Sequence, residues 1–564
     1  MNQGNWNRLY NIASAIVLLS VFRHWLHAFL VARHQVVLFD DAYMFARYAT
    51  NFRHGLGFSW NLDGVHTYGQ TAQLWGLVVL GLSYLPVAAW TMLTAGSWVF
   101  SFFAVFAIAW ACASNARSNF LSSTWRVLPL IALPLADSVS FARNQISGME
   151  TMLAILLSAL YLGLAIRWNR GAARPQTVAV VGLLLFLTRP ESLLASALLP
   201  LLLFLWMPSP ASSRRSLAAL LSILFAGVLL DLLFCKQYFQ TMLPLSFYMK
   251  ALHPYKGYGA EWHPELLFIE FLAGCQLFLA ALLLFARRTD WRIIACCLVP
   301  ALAVSAYLGT VTQIMGFNGR YYLPYLPFFI VPAILVLDRR IATGDLLFTS
   351  ILPSRAMSAR LVATATMLVG FVIFSVPSVR GRIARMEARS HYVYEPASLD
   401  IPARLPLPDY EDSGAMSISI THLLAARLPP GATMAASEVG YLGSGAPQIN
   451  IIDLAGLNDN EIALHGFDMG RLLQRKPDII WMPHEDYTYQ RGVMFSDPGL
   501  LAQYNVYAGA ADFGLAIRKD TPFRSQIDPL MQSFWKSLYF GYPMQDYLVR
   551  SVAWTGRKSL VTGD

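Results

Sequence analysis

The stretch Val36-Val37-Leu38-Phe39-Asp40-Asp41-Ala42-Tyr43-Met44-Phe45 sets two adjacent carboxylates directly after an apolar run that begins near Ile12. Carboxylates are costly beside a bilayer and are usually kept there for chemistry. The same pair in a soluble loop would carry no such weight. Here it heads a polar loop, residues 34–70, between apolar segments, where a lipid-borne substrate can reach it. The placement points to an enzyme working at a membrane face.

Composition agrees with a membrane setting. Of 564 residues, 56% are hydrophobic and only 13% are charged, whereas soluble proteins carry about a quarter charged residues. Mean hydropathy is +0.47. The apolar residues come in long blocks rather than at amphipathic spacing, which defines a polytopic α-helical membrane protein. The formal net charge of +9 does not call for nucleic acid, because the arginines cluster at the ends of apolar segments, as topology signals do. The five cysteines all precede residue 300 and none lies at zinc spacing with histidine, so no disulfide framework or structural zinc is expected. Arg23, His24 and His27 interrupt the first apolar run, which is expected to be a retained helix rather than a signal peptide.

A span needs about 20 apolar residues. Candidates lie near 11–33, 126–140, 149–166, 216–234, 266–286, 292–310, 322–337 and 359–378. Residues 176–207 form a tight pair of short segments, and 71–111 is two helices broken near Leu85-Pro86. The total expected is about 11–13 spans. Basic clusters at Arg117, Arg167/Arg170/Arg174, Arg214/Arg215, Arg287/Arg288/Arg292 and Arg339/Arg340 mark the cytoplasmic side. The opposite side then receives the Asp40-Asp41 loop, the turns at Glu150 and at Arg189-Pro190-Glu191, the loop 238–263, the loop 316–320 and everything after about residue 380. From there the composition becomes polar and proline-bearing. Short β-rich runs (449–452, 478–481, 513–517) alternate with helical ones (417–426, 460–464), giving an extracytoplasmic α/β domain over 380–564 behind a transmembrane domain over 1–379.

Several residues are candidates for chemistry. Tyr43 to Phe52 have helical periodicity, ended by Gly55 and Gly57. A carboxylate at the start of that helix is favoured by the dipole, and an ionised one can take a proton from an acceptor hydroxyl. The alternative is that one aspartate merely caps the helix. Arg189, Lys250 and Arg320 fall on the same side and suit a lipid phosphate, arginine by bidentate bonding and lysine as a point charge. Each has a plainer role open to it: Arg189 as partner of Glu191, Arg320 as a snorkelling helix end, Lys250 as a solvated loop residue. Glu150 has one as a helix N-terminal charge. Tyr248 belongs to a group of aromatics (Tyr68, Trp75, Tyr255, Tyr258, Trp262) that suits either sugar stacking or an interfacial belt. The glycines of Glu438-Val439-Gly440-Tyr441-Leu442-Gly443 do not have dinucleotide-loop spacing.

The acid pair, followed by Arg47-x3-Asn51 and Gly55-Leu56-Gly57-Phe58-Ser59-Trp60-Asn61, resembles the GT-C membrane glycosyltransferases, above all the terminal arabinofuranosyltransferases of the mycobacterial cell-wall type. Further segments follow in the family's order: Ser147-Gly148-Met149-Glu150-Thr151, Thr188-Arg189-Pro190-Glu191, Leu243-Pro244-Leu245-Ser246 with Lys250, Asn318-Gly319-Arg320-Tyr321-Tyr322-Leu323-Pro324, and Ile452-Asp453-Leu454-Ala455-Gly456-Leu457. After Trp60 the loop departs from that pattern, and Asp63-Gly64-Val65-His66-Thr67-Tyr68 is closer to the broader superfamily. The resemblance implies a GT-C fold and a polyprenyl-phosphate-linked sugar donor, with a cell-envelope glycan as acceptor. It also implies an active site at the outer face of a bacterial inner membrane, with Asp40 or Asp41 as the catalytic carboxylate. It requires no cofactor, and a divalent metal is left open. A different donor sugar, such as mannose or an aminosugar, and a lipid-glycan transporter are the alternatives.

Overall fold

A computed structural model describes residues 3–34, 37, 39–209, 212–252, 264–311, 313, 316, 319–343, 421–422, 424–483, 487–507 and 515–527. Five helices among these are long and apolar enough to cross a membrane: Asn7–Ala32, Ala89–Ala113, Thr151–Asn169, Arg214–Phe239 and Trp291–Leu308. Two bent pairs, Thr124–Asp137 with Val139–Gln145 and Pro264–Leu272 with Gln276–Phe285, raise the number to seven if each is one span. The bend of 91° in the first pair falls at Ser138, whose hydroxyl accepts from the Phe141 amide and starts a new helix. Shorter apolar helices among the described residues include Gln73–Leu82, Pro175–Thr188 and Ser192–Trp206, and Pro327–Thr343 lies at the expected 322–337 segment; the five to seven spans counted among the described residues are fewer than the 11–13 expected. The expected 359–378 span lies outside the described residues.

Two expectations sharpen. Residues 71–111 form one short helix, Gln73–Leu82, and one of full length, Ala89–Ala113. Ten residues rise about 15 Å, half a hydrocarbon core, so of the two only Ala89–Ala113 is long enough to cross a membrane. The segment 176–207 is the hairpin of short helices foreseen, turned at Arg189-Pro190-Glu191 because proline at 190 ends the first helix at the residue before it.

The C-terminal domain carries β1 (Thr433–Ala436), β2 (Asn450–Asp453), β3 (Ile479–Trp481), β4 (Tyr504–Tyr507) and β5 (Leu515–Arg518). They form one mixed sheet in the order β2-β1-β3-β5-β4, with β1 parallel to both neighbours and β5 antiparallel to both of its own. Alternation sorts the side chains. Met434, Ala436, Ile451, Ile479, Trp481, Leu515 and Ile517 share one face with Met44, Tyr48 and Trp60 of the first loop. Ala435, Ile452, Ile480 and Ala516 share the other with Leu245 and Met249. The first loop and the turn after Arg214–Phe239 are thus built into the two cores of this domain. Strands were expected at 449–452, 478–481 and 513–517, and β2, β3 and β5 occupy them; β1 and β4 were not foreseen.

The exposed edge of β2 is closed by the loop itself. Asn61 Nδ2 donates to Ile451 O at 3.1 Å and Asn61 Oδ1 accepts from Ile451 N at 2.7 Å. Trp60 Nε1 adds a bond to the same carbonyl at 3.0 Å. The Asn61 amide imitates a neighbouring strand and blunts the edge.

Candidate functional site

The helix that starts at the acid pair runs Asp40–Arg53, with Phe39 as its N-cap and no side chain capping it. Neither aspartate caps its own helix, and the two diverge. Asp40 points at the C-terminal domain, where its carboxylate accepts the amides of Gly440 at 2.9 Å and Tyr441 at 2.5 Å. Those amides open the short helix Val439–Gly445. Two turns along, Arg47 takes the other end of that helix: its guanidinium donates to Gly443 O and Ala446 O at 3.2 Å each and to Ile449 O at 2.7 Å. An acid at the amide end and a base at the carbonyl end satisfy the groups a helix leaves unpaired. Residues i and i+7 share a face, so the helix Asp40–Arg53 grips the helix Val439–Gly445 end to end. Gly440 is required there, because a Cβ would lie 1.9 Å from Asp40 O. Burial, then the neighbouring Glu438 and Asp41, pushes the Asp40 carboxyl up, while the Tyr441 and Gly440 amides pull the other way.

Asp41 faces into the helical domain and begins a chain of alternating charges. Its Oδ2 is 3.5 Å from Arg320 Nη1, and Arg320 Nη2 is 3.7 Å from Glu150 Oε1. Arg189 Nη1 lies 3.5 Å from that same Glu150 oxygen and 3.6 Å from Glu191 Oε1. Arg189 Nη2 also donates to Arg320 O at 3.1 Å. Both guanidiniums lie over the Tyr321 ring, at 5.0 and 5.5 Å from its centre, and Arg320 also lies over Phe39. Asp41 is the most accessible of the five side chains at 15%, against 4–12% for the rest. Burial pushes the Glu150 carboxyl up, but Arg320 and Arg189 outweigh it and hold the carboxyl below its ordinary value. Burial likewise pulls Arg320 down, and Glu150 with Tyr321 and Asp41 more than restores it. Glu150 and Arg320 are therefore both ionised.

Loops place these groups. Glu150 follows Gly148, whose φ of +72° is a left-handed conformation; a Cβ there would crowd Ala42 on the Asp40–Arg53 helix at 3.2 Å. Arg189 and Glu191 flank the proline turn of the 176–207 hairpin, and Arg320 precedes the turn Leu323–Tyr325 that leads into the helix Pro327–Thr343.

The ion pairs are long. At 3.5–3.7 Å they exceed hydrogen-bond distance. Among the described residues Arg320 Nε and Nη1, Arg189 Nε, Glu150 Oε2 and Glu191 Oε1 are buried with no hydrogen-bond partner. Buried charged atoms in this condition are costly unless a ligand or water engages them.

Five of the eight candidates from sequence thus meet: Asp41, Glu150, Arg189, Glu191 and Arg320. Asp40 adjoins them but binds backbone on its other side. Lys250 and Tyr248 lie in the π-helical turn Tyr248–Leu252. Met249 of that turn packs beneath Gly456, and no ion pair joins Lys250 to the charge chain among the described residues. Tyr255, Tyr258 and Trp262 lie outside the described residues. Sequence reasoning gave no role to Arg47, Tyr321 or the Gly440-Tyr441 amides. The i, i+7 spacing of Asp40 and Arg47 was the available signal for the first. No group of three His, Cys, Asp or Glu side chains among the described residues is arranged to hold a metal.

Fold and site together give a mostly helical protein, with five to seven helices among the described residues that could cross a membrane, whose first loop is held under an α/β cap, beside a buried charge chain. A family model described as a domain of unknown function (DUF8728) matches residues 408–528, which contain all five strands of the cap. No curated protein matches the chain.

Proposed function

We propose that the chain is a GT-C-type glycosyltransferase of the bacterial inner membrane. It moves a sugar, arabinofuranose as the leading candidate, from a polyprenyl-phosphate donor to a cell-envelope glycan at the outer face. The observation that carries this reading is the charge chain Asp41–Arg320–Glu150–Arg189–Glu191, with its loose pairs and unpartnered N–H groups. Glu150 holds two guanidiniums side by side against their mutual repulsion. Pairs this loose can exchange for phosphate oxygens, which would satisfy the arginines better.

In the inverting form of the reaction, Asp41 takes the proton of the acceptor hydroxyl as that oxygen attacks the anomeric carbon. The bond from that carbon to the phosphate oxygen breaks, and the electron pair leaves on the lipid phosphate, which Arg320 and Arg189 stabilise. Asp41, the most accessible member, suits the proton transfer; Asp40 keeps the cap in place.

Sugar transfer by the purified protein in liposomes, with polyprenyl-phosphoryl-arabinofuranose as donor, tests the reading. Transfer by the native protein and its loss in Asp41→Asn are expected. Transfer only from a mannosyl or aminosugar donor would move the sugar while keeping the class. Inactivity with every lipid-linked sugar, together with vectorial movement of a lipid-glycan, would replace the enzyme with a transporter.

A further inference from the structure

Far from the charge chain, the helix Gln3–Ala32 and the helix Thr124–Asp137 leave a cavity of about 680 Å³ between them. On the first helix its wall is one face, Asn11, Ser14, Ala15, Leu18, Leu19 and Phe22, with the polar Asn11 and Ser14 at one end of it. At the opposite wall stand Ser123, Trp125 and Arg126. The cavity therefore has an apolar length and a polar mouth. Leu19 is 69% exposed and Trp125 67%, so the groove opens to the surroundings rather than into the bundle.

We infer that this groove holds one anionic glycerophospholipid, its acyl chain along Ala15, Leu19 and Phe22 and its phosphate at Arg126. Three observations argue for that occupant. From Asn11 to Phe22 the face rises about 16 Å, half the hydrocarbon thickness and so one leaflet. A partner's transmembrane helix would need a groove twice as long. The mouth is also cationic: Arg126 stands in it, exposed Arg8 lies one turn before Asn11, and neither residues 3–32 nor residues 114–136 contain an acidic side chain. An arginine near a bilayer surface favours an anionic headgroup by about 1 kcal/mol, which is about fivefold. Finally, Trp125 is of the residue type that settles at the headgroup level. Arg126 itself makes only long bonds, Nη1 at 3.4 Å from each of two carbonyls, Asn119 O and Phe120 O, and lies over the Phe120 ring at 5.5 Å from its centre, so its guanidinium keeps N–H groups for a phosphate.

The test is lipid retention by the full chain. The protein is reconstituted in phosphatidylcholine bilayers containing a minor fraction of phosphatidylglycerol, extracted in mild detergent, and its bound lipids are counted by native mass spectrometry. The native protein should retain phosphatidylglycerol in preference to phosphatidylcholine. Arg126→Gln should cut that preference about fivefold, Arg126→Lys should keep most of it, and Ala15→Trp, which fills the groove, should lower retention of both lipids. Thermal unfolding shows that the variants fold. Equal retention by native protein and Arg126→Gln would overturn the inference, as would a native protein with no anionic preference. Efficient disulfide dimerisation of Leu19→Cys would also overturn it, by showing that a second copy occupies the groove.

Discussion

Two charge clusters stand at opposite ends of the helix Thr151–Asn169, about 28 Å apart by its length, and they are built in opposite ways. At the Arg170 end, Asp290 receives Arg339 at 2.7 Å, Arg340, and the Arg287 amide at 3.0 Å. Asp338 receives the Arg117 amide at 2.6 Å and both the amide and hydroxyl of Ser118. Among the described residues no buried atom of these four side chains lacks a partner. At the Glu150 end the pairs run 3.5–3.7 Å and five charged atoms are unpartnered. Saturation marks a cluster whose task is to hold helices together. Under-saturation marks one that keeps hydrogen-bonding capacity for something else.

The comparison breaks most sharply at Asp41. Asp41→Asn should lower sugar transfer by about 10²–10⁴-fold, the range of a lost general base, and leave the unfolding temperature close to native. Asp290→Asn should do the reverse. It strands Arg340 in a buried site and should cost about 3–5 kcal/mol in stability, measured by denaturation in detergent, while molecules that remain folded transfer at the native rate.

The cap supplies a pH test. Burial pushes the Asp453 carboxyl up to about 7, although Asn458 and the Ala455 amide partly oppose it. A carboxyl whose folded-state pKa is raised binds a proton in the folded state that the unfolded chain has lost. Its contribution to stability is complete below about pH 4 and is lost as pH rises to about 7. The loss is about 4 kcal/mol at most. The native protein should lose stability over that window relative to Asp453→Asn, in unfolding measured across the range. A parallel pH profile for the two would contradict the assignment.

Smallest is the grip on the cap. Gly440→Ala pushes a methyl group against Asp40 O and should cost about 1–3 kcal/mol, as overpacking does. It should raise proteolytic susceptibility of the cap more than it lowers transfer per folded molecule.

Much of this was legible in the sequence. Glu150, Arg189, Glu191 and Arg320 stand out because they fall in turns opposite the bare arginine clusters, so the alternation of those clusters assigns all four to one side. The hairpin at 176–207 announces itself through Pro190. The division of labour between Asp40 and Asp41 was not legible. It depends on a contact 400 residues away, between Asp40 and the Gly440-Tyr441 amides, and no local periodicity records such a partner. The glycines at 440 and 443 were visible, and their spacing set aside a dinucleotide loop, but nothing local showed that Gly440 is there for the close approach of Asp40 O. Strand β1 escaped for another reason: Met434, Ala435 and Ala436 are not the β-branched or aromatic residues that mark a strand, whereas β2, β3 and β5, which are no longer, carry isoleucines. Lys250 was selected by its charge, its side and its place after Leu243-Pro244-Leu245-Ser246, and it is not drawn into the chain.

The most direct measurement is the paired one at the acid pair, with transfer rate and unfolding temperature determined on Asp40→Asn and Asp41→Asn in the same liposome and detergent conditions. The account predicts that Asp41→Asn keeps native stability and loses transfer, whereas Asp40→Asn loses stability as its bonds to the cap weaken. Transfer at the native rate by Asp41→Asn would contradict it.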